Sequence, residues 1–245
     1  MNKALYPLVT MAAMVTASNA ATVWIGNANG GDGVSFFQEA NWDTDGNTAF
    51  PYTTPAANSI NPSTATTSAT GVLSITGVTL TNIGAPIFGN GFGLDLHNAT
   101  VGTFGTAGAE GVAGGATSTI NLTGVSTFNA QFLNNDLTVN VGSGSTLQLR
   151  GTATPLNSSA FVYLAIGGTL SFVNGSPSTL NAGNIFNALT NTAYSTSGDI
   201  SASFTFTGSQ AAPTSITAIT AIPEPSSAIL LGLGTLGLIS RRRRA

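Results

Sequence analysis

From residue 71 to residue 207 the chain repeats one local pattern, in which pairs of large apolar residues alternate with small polar ones. Leu73 and Ile75 alternate with Ser74 and Thr76, and Val78 and Leu80 with Thr79 and Thr81. Leu94 and Leu96 flank Asp95, and Ile120 and Leu122 flank Asn121. Leu137, Val139 and Val141 alternate with Thr138 and Asn140. Leu147 and Leu149 flank Gln148, and Leu170 and Phe172 flank Ser171. Ile200, Ala202, Phe204 and Phe206 close the series. Side chains on a strand point alternately to opposite faces, so each group predicts a short strand with one buried face. Gly, Asn and Ser interrupt the chain between the groups. No segment between the two ends keeps a helical period, and a turn of helix is expected only over Asn184 to Leu189.

An all-β body follows, and two architectures satisfy it. One is a parallel β-helix or related solenoid, in which each coil turns on Gly and Asn and small polar residues stack in ladders. The other is an antiparallel β-sandwich or jelly roll. The apolar groups recur irregularly, roughly 10 to 26 residues apart, whereas a solenoid is signalled most clearly by strict repeats. Very short strands, turns without consistent hairpin signals and a Thr/Asn/Gly-rich composition favour the solenoid.

Four regions are expected: residues 1–20 a signal peptide, 21–62 an N-terminal β cap, 63–221 the solenoid-like body and 222–245 a terminal signal. The cap region holds both tryptophans, Trp24 and Trp42, and the turn dipeptides Asp32-Gly33 and Asp45-Gly46. A solenoid end needs sealing, and Trp24, Trp42, Phe36, Phe37 and Phe50 are suited to that. Asn58 to Thr70 is an aperiodic Ser/Thr/Ala/Pro stretch and reads as a loop. The run Val23-Trp24-Ile25-Gly26 with Asn41-Trp42 resembles the opening of autotransporter-like, β-strand-repeat surface proteins.

Composition narrows the chemistry. Charged residues make up 6% of the chain, there is no Cys, and His97 is the one histidine. Thiol nucleophiles, disulfide frameworks and paired-His zinc sites are excluded. The basic residues are Lys3, Arg150 and Arg241 to Arg244, so residues 21–222 keep only Arg150 against eight acids, a net charge of −7. Such a surface does not neutralise phosphates, and nucleic acid is not an expected partner. Its hydroxyls and amides suit hydrogen bonding to a neutral polysaccharide.

The two ends read as addresses. Lys3, the mainly apolar Ala4 to Ala17 and the small residues Ser18-Asn19-Ala20 follow the order of a secretory signal, with cleavage between Ala20 and Ala21. The Sec export machinery is the expected partner. At the other end come Pro223-Glu224-Pro225, an apolar segment over residues 226–240, and Arg241, Arg242, Arg243 and Arg244. Residues 226 to 239 would rise about 21 Å as a helix. That is short of the roughly 30 Å hydrocarbon core, so the single transmembrane helix expected here is a weak permanent anchor. The arginines would hold that end in the cytoplasm. This three-part end resembles the PEP-CTERM sorting signal. The resemblance implies recognition by a membrane-embedded exosortase, a protease or transpeptidase acting near the Pro-Glu-Pro, and transfers no further activity. A plain tail anchor is the alternative, but it has no need of Pro-Glu-Pro.

Candidate sites in the body are sparse. Asp43 and Asp45 sit in a stretch like the start of a calcium loop, with Asp32 and Glu39 nearby, but the later EF-hand ligands are missing. Turn-capping aspartates explain them equally. Trp24, Trp42 and Tyr52 offer a platform for sugar rings, or packing for the cap. Asp95 and His97, two residues apart on a strand, form a pair on one side without a nucleophile motif. Asp95, Glu110 and Asp136 are the carboxylates available to a glycosidase. β-Helix polysaccharide lyases generally rely on basic side chains, of which the body has Arg150 alone.

The expectation is therefore an exported, non-enzymatic surface or matrix protein without a cofactor. It is expected in the outer envelope or outside the cell, associated with exopolysaccharide and biofilm and able to self-associate along strand edges. A carbohydrate-binding module and, more remotely, a glycan-processing enzyme are the alternatives.

Overall fold

The computed structural model of the chain describes residues 22–26, 28, 30–31, 33, 39–43, 72–80, 87–88, 93–102, 111–114, 118–134 and 136–220. They form a parallel β-solenoid of about four turns. The first face stacks Thr22–Trp24, Val72–Thr76, Gly93–His97, Ser118–Thr123, Leu137–Val141, Phe161–Leu164 and Ile185–Asn187, each parallel to the next. The second stacks Thr79–Leu80, Thr100–Gly102, Thr127–Ala130, Thr146–Leu149 and Thr169–Phe172. A shorter third face holds Ile87–Phe88, Gly111–Gly114 and Phe132–Asn134.

The irregular spacing in sequence conceals a regular register in space. On the first face Leu73, Leu94, Ile120, Val139, Val162 and Ile185 lie directly over one another. Their separations are 21, 26, 19, 23 and 23 residues. On the second face Leu80, Val101, Phe128, Leu147 and Leu170 do the same. The step from the first face to the second is nearly constant: five residues from Ile75 to Leu80 and from Leu96 to Val101, six from Leu122 to Phe128, Val141 to Leu147 and Leu164 to Leu170. The variation lies in the return path, which takes 11 residues from Phe128 to Val139 but 19 from Val101 to Ile120. Both ladders are buried to 4% exposure or less and form the core. Removing each such side chain from water stabilises the fold by about 1.5–3 kcal/mol, before entropy is counted.

Small polar residues hold the corner between the two faces. Ser126 and Ser145 are each 1% exposed. The Ser126 hydroxyl donates to Thr123 O at 2.7 Å and accepts from Ala99 N at 3.2 Å. Ser145 repeats this one coil on, donating to Gly124 O at 3.1 Å and accepting from Ser126 N at 3.2 Å. Backbone groups that a tight corner would strand inside the protein are thereby satisfied. Gly124, at φ +65°, completes the corner, and a Cβ there would collide with the Asn98 side chain.

Both ends of the stack change to antiparallel pairing. Trp42–Asp43 pairs antiparallel with Thr22–Trp24 and ends the first face on one side, and Thr192–Ala193 ends it on the other. The second face finishes in a hairpin of Phe204–Gly208 and Pro213–Ala218, with the latter against Thr169–Phe172. Short or antiparallel final strands limit what an edge can recruit.

Two local expectations fail. Asn184 to Leu189 is not helical: a 3-10 turn over Ala182–Asn184 leads into the strand Ile185–Asn187. Register with Val162 and Leu164 sends Ile185 and Asn187 inward and fixes the extended form. The strand expected from Ile200 begins only at Phe204. Asp199 Oδ1 accepts from Ser201 N at 2.9 Å and Ser201 Oγ at 2.7 Å, and Phe204 N bonds Ile200 O at 2.9 Å, so the chain turns first.

Candidate functional site

The outward side of the first face carries a continuous row. Alternation that buries Leu94 and Leu96 turns Asp95 out, and the same holds on each later coil. Register therefore aligns Asp95, Asn121, Asn140, Tyr163 and Phe186 along the solenoid axis, all half-buried. Neighbouring coils are about 4.7–4.9 Å apart. Asn121 Nδ2 donates to Asp95 Oδ1 at 2.7 Å, and Asn140 Nδ2 donates to Asn121 Oδ1 at 2.7 Å. The row then becomes aromatic. The rings of Tyr163 and Phe186 stack with centroids 5.1 Å apart and planes 18° from parallel, and Phe161 leans on Phe186 at 6.4 Å. Among the described residues no hydrogen-bond partner meets Asn140 Oδ1, the second oxygen of Asp95 or the Tyr163 hydroxyl.

His97 stands on the same side, but its bonds lead away from Asp95. Its Nδ1 lies 3.1 Å from Thr123 Oγ1, and its Nε2 3.0 Å from Asn98 Nδ2. With Asp95 bonded to Asn121, the two residues share a face without forming a catalytic pair. Asp136 sits at φ +47° in the turn before Leu137–Val141, its N–H bonded to Ser159 Oγ at 3.3 Å. Two coils along the axis and four residues along the strand separate it from Asp95, roughly 16 Å at standard strand dimensions. That exceeds the ~5–9.5 Å that paired glycosidase carboxylates require. Glu110 lies outside the described residues.

Trp24 and Trp42 are 8% and 3% exposed and meet edge to face, with centroids 5.0 Å apart and planes 87° apart. Their rings pack against each other at the end of the first face, and both are buried there. Asn41 beside them is buried and holds the incoming chain: its Oδ1 accepts from Gly33 N at 2.9 Å and its backbone oxygen from Ile25 N at 2.8 Å. Asp43 is exposed. Among the described residues no three carboxylate or imidazole groups converge on a metal-sized site. Asp32, Asp45, Tyr52, Phe36, Phe37, Phe50, Ala20, Ala21, Pro223, Glu224, Pro225 and Arg241 to Arg244 lie outside the described residues.

The far end of the stack is organised by Asn187. It occupies the inward position that Leu164 fills one coil earlier, and it is fully buried. Its Nδ2 donates to Ser203 O at 2.8 Å and Ile219 O at 2.9 Å, while its Oδ1 accepts from Leu189 N at 3.0 Å and Thr190 N at 3.3 Å. Nearby, Tyr194 is buried against Phe204, ring centroids 5.5 Å apart, and donates its hydroxyl to Gln210 O at 2.8 Å. Burial pushes the Tyr194 phenol above its ordinary range. The Ser201 hydroxyl and backbone N–H hold Asp199 below the usual carboxylate range.

This geometry defines a class: a capped parallel β-solenoid displaying a hydrogen-bonding and aromatic row on one face. The particular identity of the chain comes from its end. Residues 221–244 match the PEP-CTERM protein-sorting motif, two residues beyond the clamped Ile219. The chain is thus an exported protein sorted through a membrane-bound exosortase. The solenoid is in keeping with the autotransporter-like opening. No curated protein and no solved structure matches the chain. Among the described residues no helix is long and apolar enough to cross a membrane.

Proposed function

We propose that this protein is a non-enzymatic structural component of the outer envelope or of the exopolysaccharide matrix. The observation that carries the reading is the union of a PEP-CTERM signal with a solenoid whose outward strand positions are largely Ser, Thr and Asn. The N-terminal signal carries the body across the inner membrane, and the C-terminal signal presents it to the exosortase. The solenoid then supplies a long hydroxyl- and amide-rich surface that contacts neutral polysaccharide by hydrogen bonds. Its axial ends give self-association one route, along the outer hairpin strand Phe204–Gly208, exposed from Thr205 onward.

The test is mass analysis of the protein recovered separately from membrane, envelope, matrix and medium. Mature ends near Ala21 and Pro223, with most of the protein in the envelope or matrix fraction, support the reading. A full-length chain retaining Arg241 to Arg244 in the membrane fraction would show a simple anchor. Turnover of a polysaccharide by the purified protein would remove the non-enzymatic role.

A further inference from the structure

We propose that the outward row of the first face is a binding site for an extended neutral polysaccharide lying along the solenoid axis. It rests on the matrix reading above and assigns that role to Asp95, Asn140, Tyr163 and Phe186; of these the sequence offered only Asp95 for glycan chemistry, as a glycosidase carboxylate.

Three properties select this ligand. The first is spacing. Parallel coils in register repeat every 4.7–4.9 Å or so, close to the length of one pyranose in an extended glycan. Each step therefore meets about one sugar, and five successive strands of the first face contribute to the row.

The second property is unused hydrogen-bonding capacity. The amide relay runs one way: Asn140 donates to Asn121, and Asn121 donates to Asp95. It leaves an acceptor at each end, Asn140 Oδ1 and the second Asp95 oxygen. The Tyr163 hydroxyl stands one coil beyond Asn140. Half-buried polar groups without a protein partner are matched by water or by a ligand. Sugar hydroxyls both donate and accept, so they suit two acceptors and a phenol. The relay also fixes the orientation of each amide before the ligand arrives, which lowers the entropy lost on binding.

The third property is the apolar ridge beside the polar groups. Tyr163 and Phe186 stack on each other, so they turn ring edges outward, with Phe161 alongside. The C–H face of a pyranose can lie on that ridge while its hydroxyls reach the amides. Charge excludes the competing ligands: the row carries a carboxylate and no cation, which disfavours uronates and phosphates.

The experiment measures binding of the full chain in detergent to a panel of hexasaccharides. Neutral glucan, mannan, galactan and chitin-type oligomers are set against oligogalacturonate, with Tyr163→Ser, Asn140→Ala, Tyr163→Phe and Trp42→Phe as variants. Thermal melts confirm that each variant folds. At least one neutral hexasaccharide is expected to bind. That affinity should fall about tenfold, close to 1.4 kcal/mol, in Tyr163→Ser and in Asn140→Ala. It should fall less in Tyr163→Phe, which keeps the ring and loses the hydroxyl, and be unchanged in Trp42→Phe. Equal binding of folded Tyr163→Ser and Asn140→Ala, preference for the acidic oligomer, or no neutral binder would overturn the site. Co-sedimentation of wild type with the native matrix separates the two readings. Matrix retention that survives both substitutions rejects this row alone, whereas a wild type found outside the matrix rejects the structural role.

Discussion

Replacing Asn187 with alanine tests whether one buried amide holds the C-terminal cap together. The side chain makes four hydrogen bonds: two donated to the carbonyls of Ser203 and Ile219, two accepted from the N–H groups of Leu189 and Thr190. Alanine leaves Ile219 O without that donor, while Ser203 O keeps its bond from Ile219 N at 2.9 Å. A buried polar group stripped of its partner costs about 1–3 kcal/mol. Leu189 and Thr190 are exposed, so their N–H groups regain water at little cost. The lost side-chain volume adds about 1 kcal/mol, and the total comes to about 2–4 kcal/mol. That is a large part of the 5–15 kcal/mol that typically separates folded from unfolded chains. The loss is also local. Ser203 and Ile219 belong to the hairpin end, whereas Ile120, Val139 and Leu147 lie mid-stack and touch none of these bonds. Urea titration should show the destabilisation, and hydrogen exchange should rise at residues 185–219 well before 118–149. Asn187→Leu continues the apolar ladder of Leu164 but still abandons the carbonyls, so it should recover the volume term only. A loss below about 1 kcal/mol for Asn187→Ala, or exchange that rises evenly along the stack, would refute the argument.

Two further perturbations probe the corner and the buried phenol. Gly124→Ala forces a Cβ onto the Asn98 side chain at φ +65°, and should cost about 1–3 kcal/mol in a urea melt, whereas Gly183→Ala, with open space around it and an ordinary φ, should cost little. Tyr194 binds its proton more tightly folded than unfolded, so its contribution is fully present below the unfolded value near pH 10 and is lost as pH rises toward the higher folded value. Stability measured from pH 8 upward should therefore fall above about pH 10 in the wild type and fall less in Tyr194→Phe, which lacks the titrating group.

Much of this fold was legible because alternation survives in single strands. Leu73/Ile75, Leu94/Leu96, Ile120/Leu122 and Leu147/Leu149 are all inward pairs, as their patterns require. Other strands hide for identifiable reasons. Phe161–Leu164 is apolar at all four positions, so nothing in it separates the inward Val162 and Leu164 from the outward Phe161 and Tyr163. Thr127–Ala130 offers one large inward residue, Phe128, and Pro213–Ala218 opens on a proline that reads as a breaker. Solenoid period was obscured because the return path absorbs insertions while the short step between faces stays fixed. The outward row was illegible for the same reason. Asp95, Asn121, Asn140, Tyr163 and Phe186 are 19 to 26 residues apart, and only coil register makes them neighbours. Aromatic content drew attention to Trp24 and Trp42, yet the largest rings seal the end of the stack because burying them is the stronger driving force.

The low charge of the body has a structural counterpart in these ladders. In a parallel stack every outward residue sits over its equivalent at about 4.8 Å, so a charged residue repeated on successive coils would face its own kind along the whole axis. Like charges at that distance are destabilising. Asn, Ser and Thr avoid the penalty because each can donate to the next and accept from the previous, as Asn121 does between Asn140 and Asp95. A single acid at one end of such a relay is tolerated, since it accepts and need not donate. The scarcity of charge is thus a consequence of the coil geometry. It also leaves the outward face rich in groups that hydrogen-bond to neutral, hydroxyl-bearing molecules.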